Sequence, residues 1–185
     1  MSALELIAAF LSAVGVWLTG RRHLLCWPVS LVASLLYGWV FLTARLYADM
    51  CLQGLFCLFL LYGWRQWARG QHDDGAIRVL RPPPGRLGRD MLAGGLGTVG
   101  FYIVLVRWTD DPAPFFDALL SCYSIVGQFW AARRYIASWF LWMGVDALYT
   151  GLFVMRGLYP TALLYAAFVA LAANGFRLWR RSISN

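Results

Sequence analysis

Apolar residues run along the chain in stretches of about twenty, each closed by a short group of Arg, Pro or Gly. A helix of roughly that length crosses about 30 Å of hydrocarbon. The pattern therefore predicts seven helices, over approximately residues 3–19, 24–44, 48–68, 90–108, 114–132, 136–155 and 158–180. The runs are about twice the length a membrane-barrel strand needs, and they show no period-two alternation. The expected fold class is an all-α polytopic membrane protein with seven transmembrane helices.

Composition agrees with this pattern and excludes its competitors. The chain has 185 residues, of which 61% are hydrophobic and 14% charged, with 10 Trp, 9 Tyr and 12 Phe. A soluble domain has about 25% charged residues, and a protein this small has too little interior to hide the apolar excess. The net charge of +7 would suit an anionic partner, but the basic residues sit in twos and threes between apolar runs. That distribution belongs to membrane topology rather than nucleic acid. All 16 basic residues are Arg. Seven spans put 13 of them (Arg21, Arg22, Arg65, Arg69, Arg78, Arg81, Arg86, Arg89, Arg133, Arg134, Arg177, Arg180 and Arg181) on one side and Arg45, Arg107 and Arg156 on the other. The positive-inside rule makes the rich side cytoplasmic, with the N-terminus outside and the C-terminus inside. Glu5 and the lack of a basic leading segment make residues 1–20 a first span rather than a cleaved signal. Cys26, Cys51, Cys57 and Cys122 fall within apolar stretches without metal-like spacing and are expected to be structural. The polar stretch from Arg69 to Arg89, with His72, Asp73, Asp74 and Pro82–Pro84, reads as a cytoplasmic linker stiffened by proline.

The chain also resembles itself. At an offset of 112, without a gap, 16 of the 56 positions from 12 to 67 are identical, including Trp27/Trp139, Tyr37/Tyr149, Gly63/Gly175, Trp67/Trp179 and the pair Arg21-Arg22/Arg133-Arg134. Helices one to three are thus expected to recur as helices five to seven, with helix four as the inverting link. This is a 3+1+3 arrangement of parallel repeats: residues 1–69, the linker and helix four over 70–110, and residues 111–185. Parallel repeats are found in transporters with the substrate near mid-membrane between the halves. Features kept in both copies suit architecture. Trp27 and Trp139, near helix starts, are expected as interface anchors, and Gly63 and Gly175 as sites of close helix approach.

Polar residues present in only one copy are the better binding candidates, because a cavity gripping an asymmetric molecule must differ between its halves. In helix six, Trp139, Trp142, Asp146, Tyr149 and Phe153 share one face. The corresponding residues of helix two are Trp27, Ser30, Ser34, Tyr37 and Phe41. The second copy has therefore gained an indole and a carboxylate. An ionised Asp146 at mid-span would cost about 3 kcal/mol unless paired or hydrated; it lines a pathway or bonds a neighbouring helix. Gln53, Gln128 and Asn174 stand opposite Tyr165, Val16 and Tyr62, and their amides suit either ligand hydroxyls or interhelical contacts.

These residues, with Trp27-Pro28, Leu46-Tyr47-Ala48-Asp49, Tyr62-Gly63-Trp64, Trp139-Phe140-Leu141-Trp142, Gly157-Leu158-Tyr159 and Asn174-Gly175, make the sequence similar to the PnuC family of bacterial vitamin transporters. The resemblance covers nearly the whole chain, and the Trp-x-x-Trp of helix six is its most distinctive part. It implies an inner-membrane homotrimer and facilitated diffusion of nicotinamide riboside, trapped by a cytoplasmic kinase. It further implies that Trp139 and Trp142 flank the heterocycle while Gln53, Gln128 and Asn174 hold the polar part. Ser138 stands where an Asn is expected in riboside carriers, Asp146 stands where some members have Asn, and relatives in the family carry thiamine. Both vitamins are aromatic cations, suited to an indole pair with Asp146 as counter-charge. The substrate is thus a small cationic vitamin, nicotinamide riboside or alternatively thiamine. No cofactor, metal, catalytic residue or nucleic-acid partner is expected, and the bilayer is the other partner. The readings from other classes are an integral membrane enzyme, against which stands the lack of hydrolase, metalloprotease or nucleotide-binding motifs, and a non-transporting sensor.

Overall fold

The computed structural model describes residues 3–43, 47–70, 77–110 and 113–184. It contains seven helices: α1 (Ala3–Gly20), α2 (Cys26–Thr43), α3 (Tyr47–Arg69), α4 (Arg86–Trp108), α5 (Pro114–Ala132), α6 (Ser138–Met155) and α7 (Tyr159–Ser184). All seven predicted elements are present. Two boundaries move outward by four residues, because helix ends can be polar where hydrophobic periodicity fades. α4 begins at Arg86, after Gly85 with φ 71°, where Arg86 Nε pairs with Asp90 at 3.0 Å. α7 continues past residue 180, beyond the buried Trp179. Five helices, α1, α2, α4, α6 and α7, are long and apolar enough to cross a membrane. α3 and α5 carry more polar residues, among them Gln53 and Gln128, which face the protein interior. Arg45, His72, Asp73 and Asp74 lie outside the described residues.

Contacts between helices run α1 to α2, α2 to α3, α3 to α5, α5 to α6, α6 to α7 and α7 back to α1, a closed ring of six. Among the described residues, α4 stands outside the ring and packs on α5 alone. Its first turns are fixed there by the Trp130 Nε1–H donating to Asp90 at 2.9 Å.

Positions 112 apart make matching contacts around this ring. The indole of Trp27 lies where a side chain on Gly63 would be, and that of Trp139 where one on Gly175 would be. Trp27 meets Trp67 edge-on at 5.2 Å, and Trp139 meets Trp179 edge-on at 5.3 Å. Trp67 and Trp179 face each other at 6.0 Å. Trp67 Nε1–H donates to the Ala131 carbonyl at 3.1 Å and Trp179 Nε1–H to the Thr19 carbonyl at 3.0 Å. These two bonds join α3 to α5 and α7 to α1, one across each seam between the halves.

One expectation needs correcting. Trp27 and Trp139 are 3% and 2% exposed, so they are core residues and not interface anchors. Glycine in the facing helix removes the Cβ that would have kept each ring outside, and the indole moves inward to fill the space. The turns before α2 and α6 match as well: Arg22 (φ 57°) and Arg134 (φ 63°) both adopt the left-handed conformation, uncommon for residues with a side chain. Burial lowers the Arg134 guanidinium pKa from its ordinary value.

Deleting a fully buried indole costs about 3–5 kcal/mol. Trp67→Ala and Trp179→Ala are each expected to lower stability by about that amount, read from thermal melts of the detergent-solubilised protein. A large loss in one variant and none in the other would show that the halves do not share this layer equally.

Candidate functional site

The six-helix ring encloses a cavity of about 620 Å³. Its lining is paired: Ser12 with Ser124, Trp27 with Trp139, Tyr37 with Tyr149, Phe41 with Phe153, Leu52 with Leu164 and Phe56 with Phe168, each pair 112 apart. The cavity therefore lies between the halves. Its floor, at the arginine-rich end, is formed by Trp27 and Trp139 at the starts of α2 and α6. Towards the other end come Tyr149, Phe153 and Tyr165, with Tyr149 and Tyr165 ring centroids 4.7 Å apart. Beyond them lie Glu5, Asp49 and Asp117 from the first turns of α1, α3 and α5. Trp139 and Phe153 are fourteen residues apart on α6, so the lining runs about 21 Å along that helix.

The α6 stripe predicted from spacing lines this cavity throughout: Trp139, Trp142, Asp146, Tyr149 and Phe153. Trp142 fits because α5 presents Gly127, on which a Cβ would come within 3.2 Å of the indole. The corresponding Gly15 faces Ser30 in the first half, so the same helix–helix space holds a hydroxyl there and an indole here. Asp146 lies midway between the floor and Phe153 and is 7% exposed. Among the described residues no group donates a hydrogen bond to its carboxylate, although its backbone carbonyl accepts from Thr150 Oγ1 at 2.7 Å. Carboxylates are rarely left so in a protein interior, and this one faces the cavity.

Gln53 and Gln128 also line the cavity. Ser34, the counterpart of Asp146, donates from Oγ to Gln53 Oε1 at 2.6 Å. That bond occupies the amide oxygen and leaves the NH₂ end of Gln53 as a donor. The cavity thus has an amide donor on the first half and a carboxylate acceptor on the second. Asn174 is not brought together with these residues; it lies on the exposed side of α7, because the face of α7 that turns inward carries Thr161, Leu164, Tyr165, Phe168 and Ala172. Sequence reasoning passed over Ser34 and Tyr165 as site residues. The offset of 112 could have found them, since they pair with Asp146 and Gln53.

The chemistry on offer is aromatic stacking, amide hydrogen bonding and carboxylates, Asp146 at mid-cavity and Glu5, Asp49 and Asp117 at the far end. Three comparisons bear on this. The sequence profile of the family described as Nicotinamide mononucleotide transporter matches residues 2–181. The chain is 26% identical to the nicotinamide riboside transporter PnuC of Escherichia coli (strain K12), over 98% of its own length and 87% of that protein. It is 28% identical to the riboflavin/roseoflavin transporter RibM of Streptomyces davaonensis, over 95% of its own length and 83% of the relative. The fold is similar to the crystal structure of the vitamin B3 transporter PnuC, with a TM-score of 0.80 and 21% identity, over 98% of this chain and 82% of that one.

A buried carboxylate with no hydrogen-bond donor among the described residues weighs against stability. Asp146→Asn is expected to raise the stability of the ligand-free protein by about 1–3 kcal/mol, seen as a higher melting temperature. A lower melting temperature would assign Asp146 to the scaffold instead.

Proposed function

The chain belongs to the nicotinamide mononucleotide transporter family, the PnuC family, and from that premise we propose that it carries a small cationic vitamin, nicotinamide riboside, across the bacterial inner membrane. One observation supports the choice most: in a cavity whose lining positions pair between the halves, the second half alone supplies Trp142 and Asp146 on one helix face. A pyridinium ring against the indoles of Trp139 and Trp142 gains stacking and about 0.5–2 kcal/mol of cation–π attraction, and Asp146 neutralises its charge. Gln53 and Gln128 serve the ribose hydroxyls, and Tyr149 closes the ring's far side.

In this reading the chain is a 3+1+3 arrangement of seven membrane-spanning helices. Residues 1–69 form the first repeat, 70–110 the linker and connecting helix, and 111–185 the second repeat. The arginine-rich end faces the cytoplasm, since translocation disfavours short loops rich in Arg. The N-terminus then lies outside and the C-terminus inside. The protein works as a homotrimer by facilitated diffusion, and a cytoplasmic kinase makes uptake one-way. Phosphorylation of a ribose hydroxyl leaves the pyridinium in place and adds an anionic group that the carboxylates of the lining repel, so the product is a poor substrate for return.

The test is counterflow in proteoliposomes with labelled nicotinamide riboside, thiamine and riboflavin supplied separately. Exchange of nicotinamide riboside is expected. Exchange of thiamine alone would reassign the vitamin, and exchange of none would defeat the transport reading. Trp142→Ala is expected to weaken binding at least about tenfold, or about 1.4 kcal/mol, without altering the oligomer. Asp146→Asn should weaken the cationic vitamins and leave neutral riboflavin unaffected; equal loss for all three would show that the carboxylate is not a counter-charge.

A further inference from the structure

A cavity that carries a solute must be sealed at one end and able to open there. At the arginine-rich end the seal is two indoles deep. Trp27 and Trp139 line the cavity, while Trp67 and Trp179, both 0% exposed, lie behind them and out of its lining. A non-helical stretch of chain completes the plug. Ile77, from the connection between α3 and α4, is 3% exposed and belongs to the same buried cluster as these four tryptophans. Connections ordinarily run over the surface, so an isoleucine driven by a loop into the layer between the halves calls for a reason.

This stretch is tied to both halves by matching residues. Arg22 Nη1 donates to the Ile77 carbonyl at 3.2 Å, and Arg134 Nη1 donates to the Gly70 carbonyl at 3.2 Å. A Cβ on Gly70 would collide with the Arg134 guanidinium. Leu80 N–H donates to the Arg134 carbonyl at 2.8 Å and Ile136 N–H to the Leu80 carbonyl at 3.3 Å, forming a parallel bridge between Leu80 and Tyr135.

From these contacts we propose that residues 77–80 are the gate at the arginine-rich end of the pathway, with Ile77 as its plug and the Arg22 guanidinium and the Arg134 backbone carbonyl as its two latches. The gate rests on the transport reading. Opening it requires the latches to release the strap and the indole layer to part. The closed state carries terms that favour release. Both latches sit in left-handed backbone, a conformation costly for L-residues. The Nε1–H groups of Trp27 and Trp139 are buried with no acceptor among the described residues, an unfavourable situation that water entering an opened layer relieves. A seal of perfectly satisfied groups would be harder to open.

The strap can be locked and loosened. Residues paired across a β-bridge lie within disulfide reach, so Leu80→Cys with Tyr135→Cys, in a chain whose four native cysteines are Ser, fastens it to the second half. Oxidation is expected to reduce counterflow of labelled nicotinamide riboside at least about tenfold, and reductant to restore it. Undiminished exchange with the disulfide formed overturns the gate alone. A reduced chain that exchanges none of nicotinamide riboside, thiamine and riboflavin overturns the transport reading and the gate with it. A second measurement uses Cys26, which lines the cavity and is 1% exposed. With Cys51, Cys57 and Cys122 replaced by Ser, Ile77→Ala is expected to speed modification of Cys26 by a membrane-impermeant thiol reagent, applied from the arginine-rich face, at least about tenfold. An unchanged labelling rate overturns the plug.

Discussion

An indole can lie close across a neighbouring helix where that helix offers no side chain, and the floor of the cavity meets the condition at Gly63 and Gly175. Much of the architecture depends on those two seats. With Trp27 and Trp139 sunk against glycine, Trp67 and Trp179 can approach from each half and meet between them. Their N–H groups then reach carbonyls on α5 and α1 and join the seams of the ring. In a bilayer, where apolar association gains little from escaping water, such close packing and hydrogen bonding are the main forces left to hold helices together. A larger residue at either glycine would displace an indole and, with it, the floor of the cavity.

The same layer explains why the chemistry of the cavity lining is asymmetric while the scaffold is not. Residues that join the halves occur in both, because each seam must close. Residues that face the middle of the cavity are released from that requirement. There Ser30 and Ser34 of α2 stand opposite Trp142 and Asp146 of α6, and Val16 opposite Gln128. The hydroxyl of Ser34 is put to a different use: it holds the amide of Gln53 in one orientation.

The seven helices, the matched contacts at an offset of 112 and the side of α6 that lines the cavity were legible in the sequence, because each rests on periodicity or spacing within the chain. What escaped was the direction in which particular residues face. Lipid tails and a protein core are equally apolar, so hydropathy cannot separate a tryptophan at the lipid interface from one in the interior; Trp27 and Trp139 look the same in either place. Asn174 illustrates the reverse case, a polar residue on a helix that lines the cavity, yet on its other side. Ile77 was hidden for another reason. It sits in a polar linker, and only the three-dimensional placement of residues 77–80 against both halves brings it to the tryptophans.

Because the lining is paired and the seams are shared, the protein separates what it must keep from what it can vary. A mutation at Gly63 or Trp67 disturbs a contact on which the whole ring relies, whereas one on the inward face of α6 changes the solute's surroundings and leaves its twin on α2 to maintain the geometry. A lineage could turn such a carrier to a new cargo by rewriting a single helix, with the other half preserving a working frame while the change is made.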